Sequence, residues 1–148
     1  MKKYRPEGIL FDTKQNRKYM ESMNGLRECF FTEKILEAKV TLCDNEHNLH
    51  VDLGVMEGVI PREECAIGIS DGTVRDIAIV SRVNKPVCFK IVDFMDDEMG
   101  NRTAILSRRQ VQEECMENYI KNLSPGDVIE ARVTHNETFG SFCDIGCG

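Results

Sequence analysis

The sequence predicts a mainly β protein: a five-stranded Greek-key barrel of the OB type, a linker helix, and the first hairpin of an incomplete second barrel. Three observations predict it. Five short runs with strand periodicity follow one another between Lys34 and Ser107, each set off by turn chemistry. An amphipathic run with helical period comes next. The pattern of the first two strands then returns near the end of the chain.

Residues 1–32 show no clean periodicity and read as an extension with one short helix around Lys14–Met23, ended by the C-cap-like pair Asn24-Gly25. From Lys34 the period changes to two. Ile35, Glu37, Lys39 and Thr41 alternate with Leu36, Ala38, Val40 and Leu42, as in a half-buried strand. Asp44-Asn45-Glu46 supplies a turn, after which Leu49, Val51 and Leu53 alternate with Asn48, His50 and Asp52 as far as Gly54. Gly58–Pro61 is a short third strand stopped by its proline. Arg62–Ser70 has room for a helical turn, Asp71-Gly72 is a turn, and Asp76–Val83 reads equally as strand or helix. Val87–Phe94, β-branched and aromatic, is the fourth strand; Arg102–Ser107, beyond the acidic stretch Asp96–Asn101, is the fifth. A sandwich would want about seven strands, so five with one interruption suit a small barrel.

Ser107 reads as a helix N-cap, with Glu113 and Glu114 near the helix start where the dipole favours negative charge. Val111, Cys115, Tyr119 and Leu123 recur every four residues, widened by Met116 and Ile120, until Ser124-Pro125-Gly126 stops the run. The expected organisation is an N-terminal extension over 1–32, a barrel over 33–109, a linker helix over 110–124 and a hairpin over 125–148.

The bulk numbers restrict the function. Hydrophobic residues make up 41% and charged residues 30% of the 148, which suits a packed core. No apolar run approaches membrane-spanning length, and the basic N-terminus has no apolar stretch behind it, so no membrane partner or secretory signal is expected. The seven cysteines form no C-x-x-C pair, which argues for reduced thiols in a cytoplasmic protein and against a metal or cofactor. The net charge is −6 and uneven: residues 1–32 are net basic, while both later segments are net acidic. Indiscriminate nucleic-acid binding draws most of its affinity from phosphate neutralisation, so this balance weighs against it.

The internal repeat is specific. ILEAKVT at Ile35–Thr41 returns as VIEARVT at Val128–Thr134, 93 residues later. Asp52-Leu53-Gly54 returns as Asp144-Ile145-Gly146 after 92, so the intervening turn differs by one residue. The second copy stops at its hairpin, which implies a truncated piece of a longer array.

These residues carry a resemblance. Pro125-Gly126-Asp127-Val128, Ala131-Arg132-Val133 and the stretch from Thr138 to Gly146 (TFGSFCDIG) resemble the opening of the S-one RNA-binding domain. His50–Gly54, Glu57–Pro61 and Ile105–Arg109 look like a complete, divergent one. The layout over 33–148 is similar to that of bacterial small-subunit ribosomal protein one. The resemblance implies an OB barrel whose strand-two aromatics stack on single-stranded RNA, flanked by basic side chains. It implies mRNA and the small ribosomal subunit as partners, and no small-molecule substrate.

Read from the residues, the second copy agrees. With Ser141, Cys143 and Ile145 inward, Phe142 and Asp144 turn outward, and Gly140 permits a bulge that also exposes Phe139. Arg132, on the adjacent strand, is placed to pair with phosphate. In the first copy the two phenylalanine positions hold His47 and His50, which stack more weakly, and Pro61 stands where the family often has a histidine. Lys39, Lys90, Arg102, Arg108 and Arg109 are its candidate basic contacts.

Two functions stay open: a single-stranded-RNA-binding module, and a protein-docking barrel that anchors the array to the ribosome with little RNA affinity of its own. Catalysis is not expected. His47, His50 and His135 form no zinc-hydrolase pattern, and no nucleophile elbow or phosphate-cradling glycine loop is present.

Overall fold

The computed structural model describes residues 4–96, 98–137 and 140–148, with side chains throughout except at 135–137 and 140–142. Two helices come first, α1 (Lys14–Met20) and α2 (Met23–Thr32). The barrel strands are β1 (Leu36–Cys43), β2 (Leu49–Asp52), β3 (Glu57–Ile60), β4 (Pro86–Asp96) and β5 (Arg102–Ser107), with a short helix α3 (Ile77–Val80) between β3 and β4. Helix α4 (Arg108–Asn118) leads through a 3-10 turn to the hairpin β6 (Arg132–Glu137) and β7 (Gly140–Asp144).

The barrel is closed in the order β1-β2-β3-β5-β4, with β1 returning to β4. All pairs are antiparallel except β3 with β5. This is the five-stranded OB arrangement, and closure leaves the barrel no free edge. The inward face follows from alternation: Leu36, Ala38 and Val40 of β1, Leu49 and Val51 of β2, and Phe89 and Ile91 of β4 are all buried. Each large side chain so placed is worth ~1.5–3 kcal/mol. Leu26 and Cys29 of α2 and Ile79 of α3 enter the same core, and Phe30 meets Phe94 edge to face at 5.6 Å. The helical alternative therefore wins in part of Asp76–Val83, because a single turn suffices to insert Ile79.

The N-terminal region departs from expectation. One helix ending at Asn24-Gly25 was the reading; there are two, and Asn24 and Gly25 lie in the first turn of α2. Ser22 caps that turn, its side chain accepting from Gly25 N–H at 3.0 Å. Gly25 is there for proximity: a Cβ would lie 2.3 Å from the Tyr19 carbonyl oxygen at the end of α1. The true C-cap of α2 is Glu33, at φ 53°. Likewise α4 is shorter than the apolar stripe suggested. Ser107 caps it as expected, accepting from Gln110 N–H at 3.0 Å. It stops at Asn118, however, and Tyr119 leaves helical geometry and stacks on Tyr4 at 5.9 Å.

Residues 4–8 form a strap between the barrel and the hairpin. Glu7, 4% exposed, receives Arg108 Nε at 2.7 Å and Nη2 at 2.8 Å, Arg82 Nη1 at 3.1 Å and the Cys88 N–H at 2.8 Å. Gly8 N–H donates to Glu37 at 3.0 Å. On the other side Glu7 N–H donates to Asp144 Oδ2 at 2.7 Å and Arg132 Nη1 to the Glu7 carbonyl at 2.9 Å. The Cys147 N–H reaches the Arg5 carbonyl at 3.0 Å, and Arg5 pairs with Glu130 at 3.1 Å. This strap overturns two readings of alternation. Glu37, on the polar side of the first strand, is 1% exposed, because the strap and Asn16 of α1 cover it. Asp144, expected outward, is 7% exposed, while Cys143, expected inward, is exposed.

All seven cysteines are free thiols. Among the described residues no helix is long and apolar enough to cross a membrane, and no cluster suited to a metal ion is present.

Candidate nucleic-acid interface

The outer face of β2 and β3 is built by alternation: with Leu49 and Val51 buried, His50 and Asp52 turn away from the core, opposite Val59 and Glu57 of β3. The turn before β2 is shaped by Asp44, whose Oδ1 accepts the N–H groups of Glu46 at 2.9 Å and Asn48 at 3.0 Å. That turn holds His47 at φ 64° and brings Asp44 back over β2.

The two histidines are therefore not free stacking surfaces. His50 lies between two carboxylates, with Nε2 2.9 Å from Asp44 Oδ2 and Nδ1 2.7 Å from Glu57 Oε1. His47 Nδ1 is 3.3 Å from Asp76, which also receives Arg62 at 2.8 Å. The hydrogen bond from His50, supported by Asn48 and Glu46 N–H groups, holds the Asp44 carboxyl down at about 2. Partial burial pulls the His50 imidazole down, but its hydrogen bonds to Asp44 and Glu57 outweigh this and set it above the usual histidine value. The stabilisation from this contact is thus present below the unfolded-state value and fades as pH rises through the folded one. An NMR titration should find His50 above 6.5, and Glu57→Gln should move it down. A midpoint indifferent to Glu57 would contradict the sandwich geometry.

The other candidates scatter. Arg102 pairs with Asp96 at 2.9 Å and lines an open groove with Glu57, which sets it near His50. Lys39 is exposed on β1, opposite Pro86 on the β4 seam. Lys90 is 7% exposed, with Nζ 2.7 Å from Glu114 of α4, so its charge is engaged between the helix and the barrel. Arg108 is engaged likewise by its burial against Glu7, and Arg109 is held by Glu64 and Glu113. Arg132 is exposed yet donates to the strap. Phe139 and the side chain of Phe142 lie outside the described residues. What sequence reasoning missed is the ring of carboxylates, Asp44, Glu57 and Asp76. Asp44 was legible only as turn chemistry, and the other two come from segments whose proximity no local pattern encodes.

The two hairpins share one geometry. In the first, Val40 pairs with Val51 and Leu42 with His50, with an irregularity between Val40 and Leu42. In the other, Val133 pairs with Cys143 and His135 with Phe142, with the irregularity between Val133 and His135. At the repeat shifts these are the same positions, bulge included.

The family model of the S1 RNA binding domain matches residues 30–109, more than half of the chain. The chain belongs to the S1 RNA-binding domain family. Among curated proteins, this S1-domain chain is similar to the small ribosomal subunit protein bS1 of Staphylococcus aureus (strain COL), 32% identical over 130 residues, covering 85% of this chain and 30% of that protein. The bS1 of Staphylococcus haemolyticus is 31% identical over 145 residues, covering 94% of the chain and 34% of the relative. The chain thus spans about a third of the length of the relatives it matches. Among solved structures, the solution structure of GSP13 from Bacillus subtilis aligns with a TM-score of 0.42 at 23% identity, over 66% of this chain and 71% of that one.

Proposed function

We propose that this chain is a single-stranded-RNA-binding module of a ribosomal-protein-one-like translation protein, working in the cytoplasm with mRNA and the small ribosomal subunit as partners. Bases stack on Phe139 and Phe142 of the second, partial copy, and Arg132 supplies a phosphate contact. The observation that supports this is the shared register of the two hairpins, in which Phe142 takes the ladder position of His50. The similarity to small ribosomal subunit proteins supports the role in translation.

The test is titration of an unstructured oligoribonucleotide of about a dozen nucleotides at low and physiological salt. Replacing either phenylalanine by alanine is expected to cost ~1–3 kcal/mol, about five- to 150-fold in affinity. Absence of binding at low salt, where phosphate contacts are strongest, would sink this reading.

A second reading applies to the first barrel and rests on a specific observation. Asp44, Glu57 and Asp76 crowd the face that would meet phosphates. That barrel then docks on a basic protein surface of the ribosome and leaves RNA to the second copy. Salt-dependent capture of small subunits that survives loss of Phe139 and Phe142 would support it; capture lost with them would oppose it.

A further inference from the structure

The burial of β7 is reversed relative to its repeat. On β2 the outer face is open at Asp52 while Val51 is buried; on β7 the corresponding Asp144 is buried and Cys143 is exposed. Asp144 is covered jointly by Gly146 and Gly148, whose N–H groups donate to its carboxylate, and by the strap. The strap's backbone N–H at Glu7 ties up the carboxylate, and its backbone carbonyl at Glu7 takes the guanidinium of Arg132. Arg132 and Asp144 are direct partners across the β6–β7 ladder, so one strap residue, Glu7, engages both through its N–H and its C=O.

The two sides of the strap are unequal. Toward the barrel, Glu7 is locked by Arg108, Arg82 and the Cys88 N–H in a buried site. Toward the hairpin it is held by a few hydrogen bonds and by the Arg5–Glu130 pair, whose side chains are 34% and 45% exposed. An exposed pair of this kind is cheap to break. The hairpin side is where the strap lets go.

We propose that residues 4–8 are an autoinhibitory strap: on the outer face of the β6–β7 hairpin they cover Asp144 and hold the guanidinium of Arg132, and single-stranded RNA gains that face only when the strap lifts. The inference rests on the RNA-binding reading above. Arg132, the group suited to a phosphate, is occupied by a peptide carbonyl in the closed state. Binding is then weakened by the fraction of molecules that are closed.

Glu7 is the wrong residue to mutate, since its loss strands Arg108 in the interior. Arg5→Glu sets two carboxylates against each other at the exposed pair and leaves the buried site intact. This substitution makes the protein more acidic, so charge alone predicts weaker RNA binding. The strap predicts the opposite: affinity for the short RNA about two- to five-fold tighter, with faster hydrogen exchange at the Cys147 amide that now bonds Arg5. The swap Arg5→Glu with Glu130→Arg re-forms the pair and should return both readouts to the starting values. Faster exchange with unchanged or weaker RNA binding overturns the proposal, as does a Cys147 amide that exchanges no faster. If no variant binds RNA at low salt, it is the RNA-binding reading that fails, and the gate falls with it.

Discussion

Glu7→Ala is expected to lower folding stability by about 3–5 kcal/mol, because it leaves the Arg108 guanidinium buried without its counter-charge. The pair is 2.7 Å apart, and both residues are under 8% exposed. Burial by itself pushes the Glu7 carboxyl up, but Arg108, with the Cys88 N–H and Arg82, brings it below the ordinary carboxylate value. The stabilisation is accordingly present above the unfolded-state value and lost as pH falls through the folded one. In urea at neutral pH the midpoint should drop while the slope stays constant. Replacing Glu7 and Arg108 together by apolar residues should cost less than the sum of the single changes, since neither charge is then stranded. A loss under about 1 kcal/mol, as for an exposed pair, would mean that the strap is not seated as described.

Glu37 works in the opposite sense and gives the second large effect. Burial raises its carboxyl to about 7, with the nearby Glu7 adding to the rise and the N–H groups of Gly8, Phe11 and Leu10 opposing it. Between its ordinary value of 4.5 and about 7 the folded chain holds a proton that the unfolded chain has released. Stability therefore falls as pH rises through this window, by about 3 kcal/mol in all. Urea midpoints measured from pH 5 to about pH 8 should show the decline, and Glu37→Gln should flatten it whatever it does to absolute stability. His50, raised above its ordinary value of 6.5, declines in the same direction, so a slope that survives in Glu37→Gln but vanishes in Glu57→Gln would assign the effect to the histidine and refute this account.

The barrel was readable because its forces are local and periodic. Arg102–Ser107 is a strand to the residue, and the first strand begins and ends within one residue of its alternating run. The errors arise where a segment distant in sequence decides the outcome. Asn24-Gly25 has the composition of a helix end, but what selects that glycine is the carbonyl of Tyr19. Glu37, Lys90, Arg108 and Asp144 are polar residues in amphipathic patterns, and a pattern cannot say that residues 4–8 or α4 will cover them. The same holds for the candidate site. The outward position of His50 follows from alternation, while the carboxylates that clamp it come from the turn and from β3, and the one beside His47 comes from the segment before α3.

The strap also fixes an order of events at birth. Glu7 leaves the ribosome ahead of its partners Arg108 and Asp144, which lie 101 and 137 residues further along the chain. At ~5–20 residues per second, residues 4–8 have no seat on the hairpin until Asp144 has been made. The barrel strands, which end at Ser107, are all made before residues 4–8 can take their place against Asp144.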